Sequence, residues 1–406
     1  MHFGYAETDI TPAPGLELSG YGYFLQRRAQ STLDPLMARA VAFGEGDRRA
    51  VVVQLDLLAL DAAFVAGVRR AVARRVGLPG DALLLHCTHT HSAPAVRRLF
   101  GCGEASAAFR HRLRGQVVAL VERALSALRR PTETLCFGGE HIDGFAFNRT
   151  GGAPPDTELR GVCARFDDAP PLVLLGFACH PVALGPNRAY SADYCGAVVR
   201  ACAARGLRAV FLNGCCGDVA PARQGVAPES LHAVGDTFAA AVLAGLAHAS
   251  AWRPGPLRAG TRTVNLAAEA APEPLPETGA EGPLAHVARL CGAHLQQLTR
   301  TRRLHTATAV EVQTLAMGEV LLVGLGAEVF GQLGAQLRAA FPAHHLLLAG
   351  TSNGVAGYVP NAADVEAGGY ASTRGRRIYG LPGLSPRVGE RFVAASAAAV
   401  KEVLSA

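Results

Sequence analysis

The sequence predicts an α/β fold in which a central mixed β-sheet is flanked by helices and carries a metal site at its strand ends. Three observations lead there. Apolar runs of strand length alternate with helical periodicity along most of the chain. Metal-competent side chains stand where several of those runs stop. Half of the 406 residues are hydrophobic, enough to bury a sizeable core.

In chain order, residues 50–60 read as a buried strand and Ala62–Val76 as a helix. Arg69, Arg70, Arg74 and Arg75 fall among alanine and valine at the spacing of a solvated helix face. Residues 82–87 follow as a strand and 107–128 as a helix, then strand 171–179, a helix around 193–204, strand 209–213 and helix 230–246. Two apolar runs, at 320–325 and 346–349, are also strand-like, and 329–341 between them is helical. The stretch 267–282, rich in Pro, Glu, Ala and Gly, reads as a solvated connector into a helix at Pro283–Arg300. Alternation of this kind packs helices over a sheet and brings successive strand ends to one edge.

The most informative stretch is His86-Cys87-Thr88-His89-Thr90-His91-Ser92-Ala93-Pro94, which closes an apolar strand with imidazoles at alternate positions. Strand side chains repeat every two residues, so His89 and His91 are expected on one face. Imidazole nitrogen is a preferred zinc ligand, although a His-x-His pair by itself also suits a satisfied core. Three further segments add to it. His180 ends the run 172–179 and precedes Pro181, which biases it to an extended backbone. Glu328 follows a strand and two glycines, where the chain can approach a neighbour closely. The run 346–349 empties into a Gly/Asn/Ser loop that reaches Tyr358.

Taken in order, these pieces resemble the catalytic domain of the neutral, non-lysosomal ceramidases and their bacterial relatives. The resemblance begins at Gly4-Tyr5-Ala6-Glu7-Thr8-Asp9-Ile10-Thr11-Pro12 and Asp34-Pro35-Leu36-Met37-Ala38-Arg39-Ala40. It continues through the His-Thr-His-Ser run, Phe147-Asn148-Arg149, Cys179-His180-Pro181 and residues 213–221. It closes with Gly326-Ala327-Glu328 and Gly357-Tyr358-Val359-Pro360. The resemblance implies one Zn2+ held by His89, His180, Glu328 and Tyr358, with His91 stabilising a developing oxyanion and Arg149 orienting the polar end of the substrate. It implies an amidohydrolase that cleaves an amide of a small or N-acylated metabolite with metal-activated water. Glu328 is either a ligand or a proton shuttle. Asp218, the remaining candidate for the catalytic set, either orients a ligand histidine or caps a helix.

The chain departs from the family at one position. Where the family reads Gly-Asp-Val-Ser-Pro, this sequence has Gly217-Asp218-Val219-Ala220-Pro221, and a methyl can neither donate, accept nor attack. Two other readings therefore stand beside the hydrolase: a zinc Lewis-acid enzyme of a biosynthetic pathway (cyclisation, acyl transfer or ester cleavage), and a noncatalytic binding protein of the same fold. The neighbouring Cys215 and Cys216 read as buried small apolar residues.

Residues 1–406 are expected to form a single catalytic domain, since 48 residues after Tyr358 are too few for a further β-sandwich of ~100 residues. The net charge of +6 is dispersed and aromatics are few, which argues against a nucleic-acid platform. Arg300, Arg302, Arg303 and His305 read as a basic surface cluster. Lys401 is the only lysine, and no Gly-x-x-x-x-Gly-Lys loop exists, which excludes P-loop chemistry and leaves a poor Schiff-base candidate. Ten cysteines without Cys-x-x-Cys spacing, and no secretory segment before the first strand, predict a cytoplasmic location. No apolar run approaches the ~20 residues of a bilayer span, so a small-molecule substrate and no stable membrane insertion are expected.

Overall fold

The computed structural model describes residues 1–22, 24, 26–267, 282–301 and 307–406. Most of the expected connector 267–282, together with Arg302, Arg303 and His305, lies outside them.

Three sheets are built to one plan. In the first, β1 (His2–Asp9), β2 (Met37–Glu45) and β3 (Arg48–Leu55) are successively antiparallel. Helix α1 (Ala62–Val76) then carries the chain to β4 (Leu83–Cys87), parallel to β3, and α2 (Ala107–Ser126) follows. The second sheet repeats this with β5 (Glu133–His141), β6 (Glu158–Arg165), β7 (Leu172–Phe177), helix α3 (Asp193–Ala203), the parallel β8 (Arg208–Asn213) and helix α4 (Ser230–Ala247). The third has β9 (Leu257–Ala267), then α5 (Pro283–Arg300), β10 (Ala307–Met317), β11 (Val320–Leu325), α6 (Gly331–Ala339), the parallel β12 (His345–Ala349) and α7 (Val388–Ser405). The α/β class is as expected. The single central sheet is not, because the three parallel pairs do not lie side by side.

They meet instead at their ends. The Asn213 N–H donates to His86 Nε2 at 2.9 Å, His86 Nδ1 lies 2.8 Å from the Gly350 carbonyl, and the Gly350 N–H donates to the Asn213 carbonyl at 2.8 Å. Because Nε2 accepts, Nδ1 carries the proton, and burial holds this imidazole down to about 3, so it stays neutral. Thr351 adds a hydroxyl donated to the Cys87 carbonyl at 2.8 Å. The C-terminal ends of β4, β8 and β12 are thereby fastened to one another, and each sheet delivers the loop after its parallel strands to a common centre.

The helices form for ordinary reasons. Asp61 accepts from the Phe64 N–H at the start of α1, Gly77 ends it in the left-handed conformation, and Phe64, Val65, Val68 and Val72 bury one stripe. Ser106 caps α2 in the same way. Arg69 departs from the solvated-face expectation: its guanidinium reaches Glu311 at 2.7 Å and Gln313 at 2.9 Å on β10, tying α1 to the third sheet. Among the described helices, α4 is long and apolar enough by length and composition to cross a membrane. Its buried side is spoken for, since Leu231, Phe238, Ala239, Val242 and Leu246 pack in the core of the second sheet.

Candidate metal centre

β4 stops at Cys87, and His89 has left the extended conformation with φ 73. A bulky residue rarely sits there, and the turn is held by the His89 N–H donated to the Leu57 carbonyl at 2.9 Å. His89 and His91 therefore come together through a turn and not through strand alternation, with ring centroids 5.2 Å apart. Gly20, at φ +87, lets the backbone press against His91, for a Cβ there would lie 2.4 Å from its Nδ1. His180 follows β7, its N–H donated to the Val219 carbonyl at 3.0 Å. Glu328–Val329 pairs in parallel with Tyr358–Val359, so those two positions arrive as neighbours.

The hydrogen bonds fix the tautomers. His89 Nδ1 lies 2.9 Å from the Leu58 carbonyl and His180 Nδ1 lies 2.6 Å from the Cys216 carbonyl. A carbonyl can only accept, so both Nδ1 atoms carry a proton, and Nε2 is in each ring the nitrogen turned toward the centre. Both Nε2 atoms face one oxygen: Glu328 Oε2 is 3.3 Å from His89 Nε2 and 3.2 Å from His180 Nε2. Burial pushes the Glu328 carboxyl up, but the surrounding imidazoles outweigh it and hold the group well below the usual range, so it is ionised. Burial holds His180 down to about 4. Two imidazole nitrogens and a carboxylate oxygen thus converge in a buried space, a donor set that a cation can hold together in place of a proton.

The spacing suits zinc. Two ligands each ~2.0–2.1 Å from a tetrahedral centre stand about 3.3 Å apart, close to both Nε2–Oε2 distances. His91 joins the group, since ligand atoms of His89, His91 and His180 all lie within 4.8 Å of one another. Both ring nitrogens of His91 are buried and without a partner among the described residues. Burial and the neighbouring imidazoles hold it well below its ordinary value.

Around this core, Arg149 donates to the Gly217 carbonyl at 2.6 Å and to the Tyr358 hydroxyl at 3.3 Å, with its Nη2 also 3.3 Å from His180 Nε2. The Tyr358 hydroxyl is placed at the site, and burial followed by the Glu328 charge pushes it well above its ordinary value. Asp218 takes the capping role of its two readings. Its Oδ1 accepts from the Gly331 N–H at the start of α6 at 2.7 Å, and Oδ2 from Asn148 Nδ2 at 2.9 Å. The carbonyls of Cys216 and Val219 orient His180 instead.

A cavity of about 320 Å³ opens over the centre, lined by His91, Arg149, Gly217, Ala220, Tyr358 and Tyr370 among others. Ala220 thus puts a methyl on the cavity wall. All ten cysteines are buried free thiols. Burial and the Glu328 charge push Cys216 well above its ordinary value, which leaves it a thiol and no nucleophile.

Two residues at the site escaped sequence reasoning. The Tyr379 hydroxyl donates to Glu328 Oε1 at 2.5 Å, and the Tyr370 ring stands 5.8 Å from that of Tyr358. Both lie on a segment whose π-helical turn, 371–375, closes with the Gly375 N–H donated to the Tyr370 carbonyl. The only signal for them was three tyrosines, at 358, 370 and 379, within a Gly-rich stretch.

No known family profile and no curated protein matches this chain. Among solved structures it is similar to the neutral ceramidase from Pseudomonas aeruginosa, with 18% identity and a TM-score of 0.78 over 100% of this chain and 74% of that one. It is also similar to a ceramidase complexed with C2, with 18% identity and a TM-score of 0.80 over 100% of this chain and 75% of that one. The resemblance read from the motifs therefore holds at the level of the fold, along the whole chain: this is the fold of neutral ceramidase.

Proposed function

We propose that this protein is a zinc-dependent hydrolase that cleaves the amide of a small or N-acylated metabolite. One observation carries the reading. Two imidazoles, oriented by backbone carbonyls, turn their Nε2 atoms to one buried carboxylate oxygen beneath a metabolite-sized cavity. In this reading His89, His180 and Glu328 hold the ion, Tyr358 completes the set, and residues 1–406 act as one catalytic unit in the cytoplasm.

Zinc supplies Lewis acidity, which acidifies water and polarises a carbonyl. The chain supplies the rest. His91, with free ring nitrogens on the cavity wall, exchanges a proton with the reacting amide or hydrogen-bonds the oxygen on which negative charge builds. Arg149 is anchored through Nη2 to the Gly217 carbonyl and Tyr358, so its charge is fixed beside the centre and orients a polar substrate group. Asp218 acts at one remove by holding the 216–219 turn whose carbonyls set the His180 tautomer.

The methyl of Ala220 favours a second reading of the same site, in which zinc serves acyl transfer or ring closure and not the ceramidase reaction. Product identification by mass spectrometry separates the two. For either, metal analysis of the purified protein should return about one zinc per chain. His180→Ala should lose both metal and turnover, and turnover that survives this substitution sinks the proposal.

A further inference from the structure

His89 and His180 are each oriented by a backbone carbonyl at Nδ1, but His91 has no such bond, for both of its ring nitrogens lack a partner among the described residues. Its orientation rests on packing. The His89 and His180 rings stand 5.2 and 5.8 Å away, the Tyr21 ring meets it edge to face at 4.8 Å, and the Gly20 backbone is pressed against it. The last two contacts come from a strained turn. Gly20 and Tyr21 both have positive φ, 87 and 52, a conformation that a tyrosine keeps only where its surroundings impose it.

Arg27 is placed to impose it. Its side chain is fully buried. Nη2 donates to the Ser19 carbonyl at 2.6 Å and to the His91 carbonyl at 2.5 Å, and Nη1 donates to the Asn187 carbonyl at 3.0 Å. The guanidinium also stands 5.0 Å from the centre of the Tyr21 ring. Asn187 in turn donates through Nδ2 to Ser92 Oγ at 2.8 Å, beside His91 in the chain. A single planar fork therefore joins the residue before the strained turn, the ring that packs on His91 and the main chain of His91 itself. An ammonium group is a point charge and cannot reproduce that span.

We propose that Arg27 is a positioning residue for His91: by holding Ser19, the Tyr21 ring and the His91 main chain in one register, it fixes the imidazole on the cavity wall. What His91 then does to a bound group rests on the hydrolase reading, and how His91 is held does not.

Two experiments on the full chain test this. The first takes the metal-free protein and records long-range 1H–15N spectra of the histidine rings, where the His91 signals are those lost in His91→Gln. The parent is expected to give one sharp His91 set. Arg27→Lys should give a doubled or exchange-broadened set while the His86 signals, fixed by their own hydrogen bonds, stay put. Tyr21→Asn removes the ring, leaves the carbonyl bonds of Arg27 in place and tolerates the positive φ, so it should broaden His91 likewise and carries the test should Arg27→Lys fail to fold. One sharp set in the folded variants, or a doubled set already in the parent, overturns the proposal.

The second experiment loads zinc and titrates acetohydroxamate, a small metal-binding probe that offers hydrogen-bonding groups to His91. Arg27→Lys should weaken the probe at least about fivefold while the zinc Kd moves by less than about threefold. In the His91→Gln background the same substitution should change probe affinity by under about twofold, because a residue that acts through His91 has nothing left to act on. A zinc Kd that rises as steeply as the probe Kd, or two effects that multiply in the double variant, makes Arg27 a general support of the fold and overturns the proposal. A parent that takes up no zinc removes the hydrolase reading and leaves the ring spectra to decide.

Discussion

Replacing Tyr379 by Phe removes one oxygen from the molecule and little else. The ring keeps its place 4.8 Å from the Arg97 guanidinium and 6.0 Å from the Tyr358 ring, but Glu328 Oε1 loses its 2.5 Å donor. The phenol is protonated in the native state, since burial and the Glu328 charge push it well above its ordinary value. A hydrogen bond to an ionised group is worth about 1.5–3 kcal/mol, and losing an outer partner of a ligand typically weakens metal binding about 10–100-fold. At about 1.4 kcal/mol per decade these two figures agree, so the zinc Kd of Tyr379→Phe should rise by roughly one to two decades. The physical reason is that an unrestrained carboxylate can turn, and Oε2 then no longer stands opposite both Nε2 atoms. Competition against a chromophoric chelator at neutral pH measures the change directly, without any substrate. A Kd within about twofold of the parent would refute the claim that this hydroxyl positions the carboxylate.

Other perturbations test the frame around the site. Asp218→Ala should cost about 1–2 kcal/mol through the lost α6 cap, with Asp218→Asn costing less, as denaturant titration would show. Phe238→Ala, in a cluster with Phe145 at 5.3 Å and Phe177 at 4.9 Å, should destabilise by about 3–5 kcal/mol in the same assay. Asp61 offers a pH test. Burial pushes its carboxyl up, but Arg110 and the Phe64 N–H outweigh it and leave it below its ordinary value. A depressed folded pKa means stabilisation that is present above about pH 4 and lost as pH falls through the folded value. The stability gap between the parent and Asp61→Asn should therefore close on acidification, and a gap that widens would contradict the assignment.

Much of the secondary structure was legible because it is written locally. The helix expected at Ala62–Val76 is observed with those bounds, since Asp61, Gly77 and the valine stripe all lie within one window. The runs at 172–177, 320–325 and 345–349 are buried on both faces and read as continuous apolar strands. By contrast β9 and β10, with sequences LRAGTRTVNLA and ATAVEVQTLAM, mix polar and apolar residues and gave no comparable signal. Arg69 looked like a surface residue because its partner, Glu311, is 242 positions away. The candidate ligands followed from strand ends and a resemblance, whereas the turn at His89, with φ 73, replaced the alternation that had been expected to align it with His91.

By itself, then, the sequence determined where many of the strands and helices lie and which polar side chains stand at their ends. Tertiary structure alone decided that three sheets share the work of one, that Asp218 caps a helix, and that Tyr379 restrains Glu328 across 51 residues. The division has a physical cause. Periodicity and capping are set by neighbours a few residues apart, but the contacts of the His86 imidazole with the Asn213 and Gly350 backbone, and of those two backbones with each other, join groups more than a hundred positions apart, and those are chosen only when the whole chain closes.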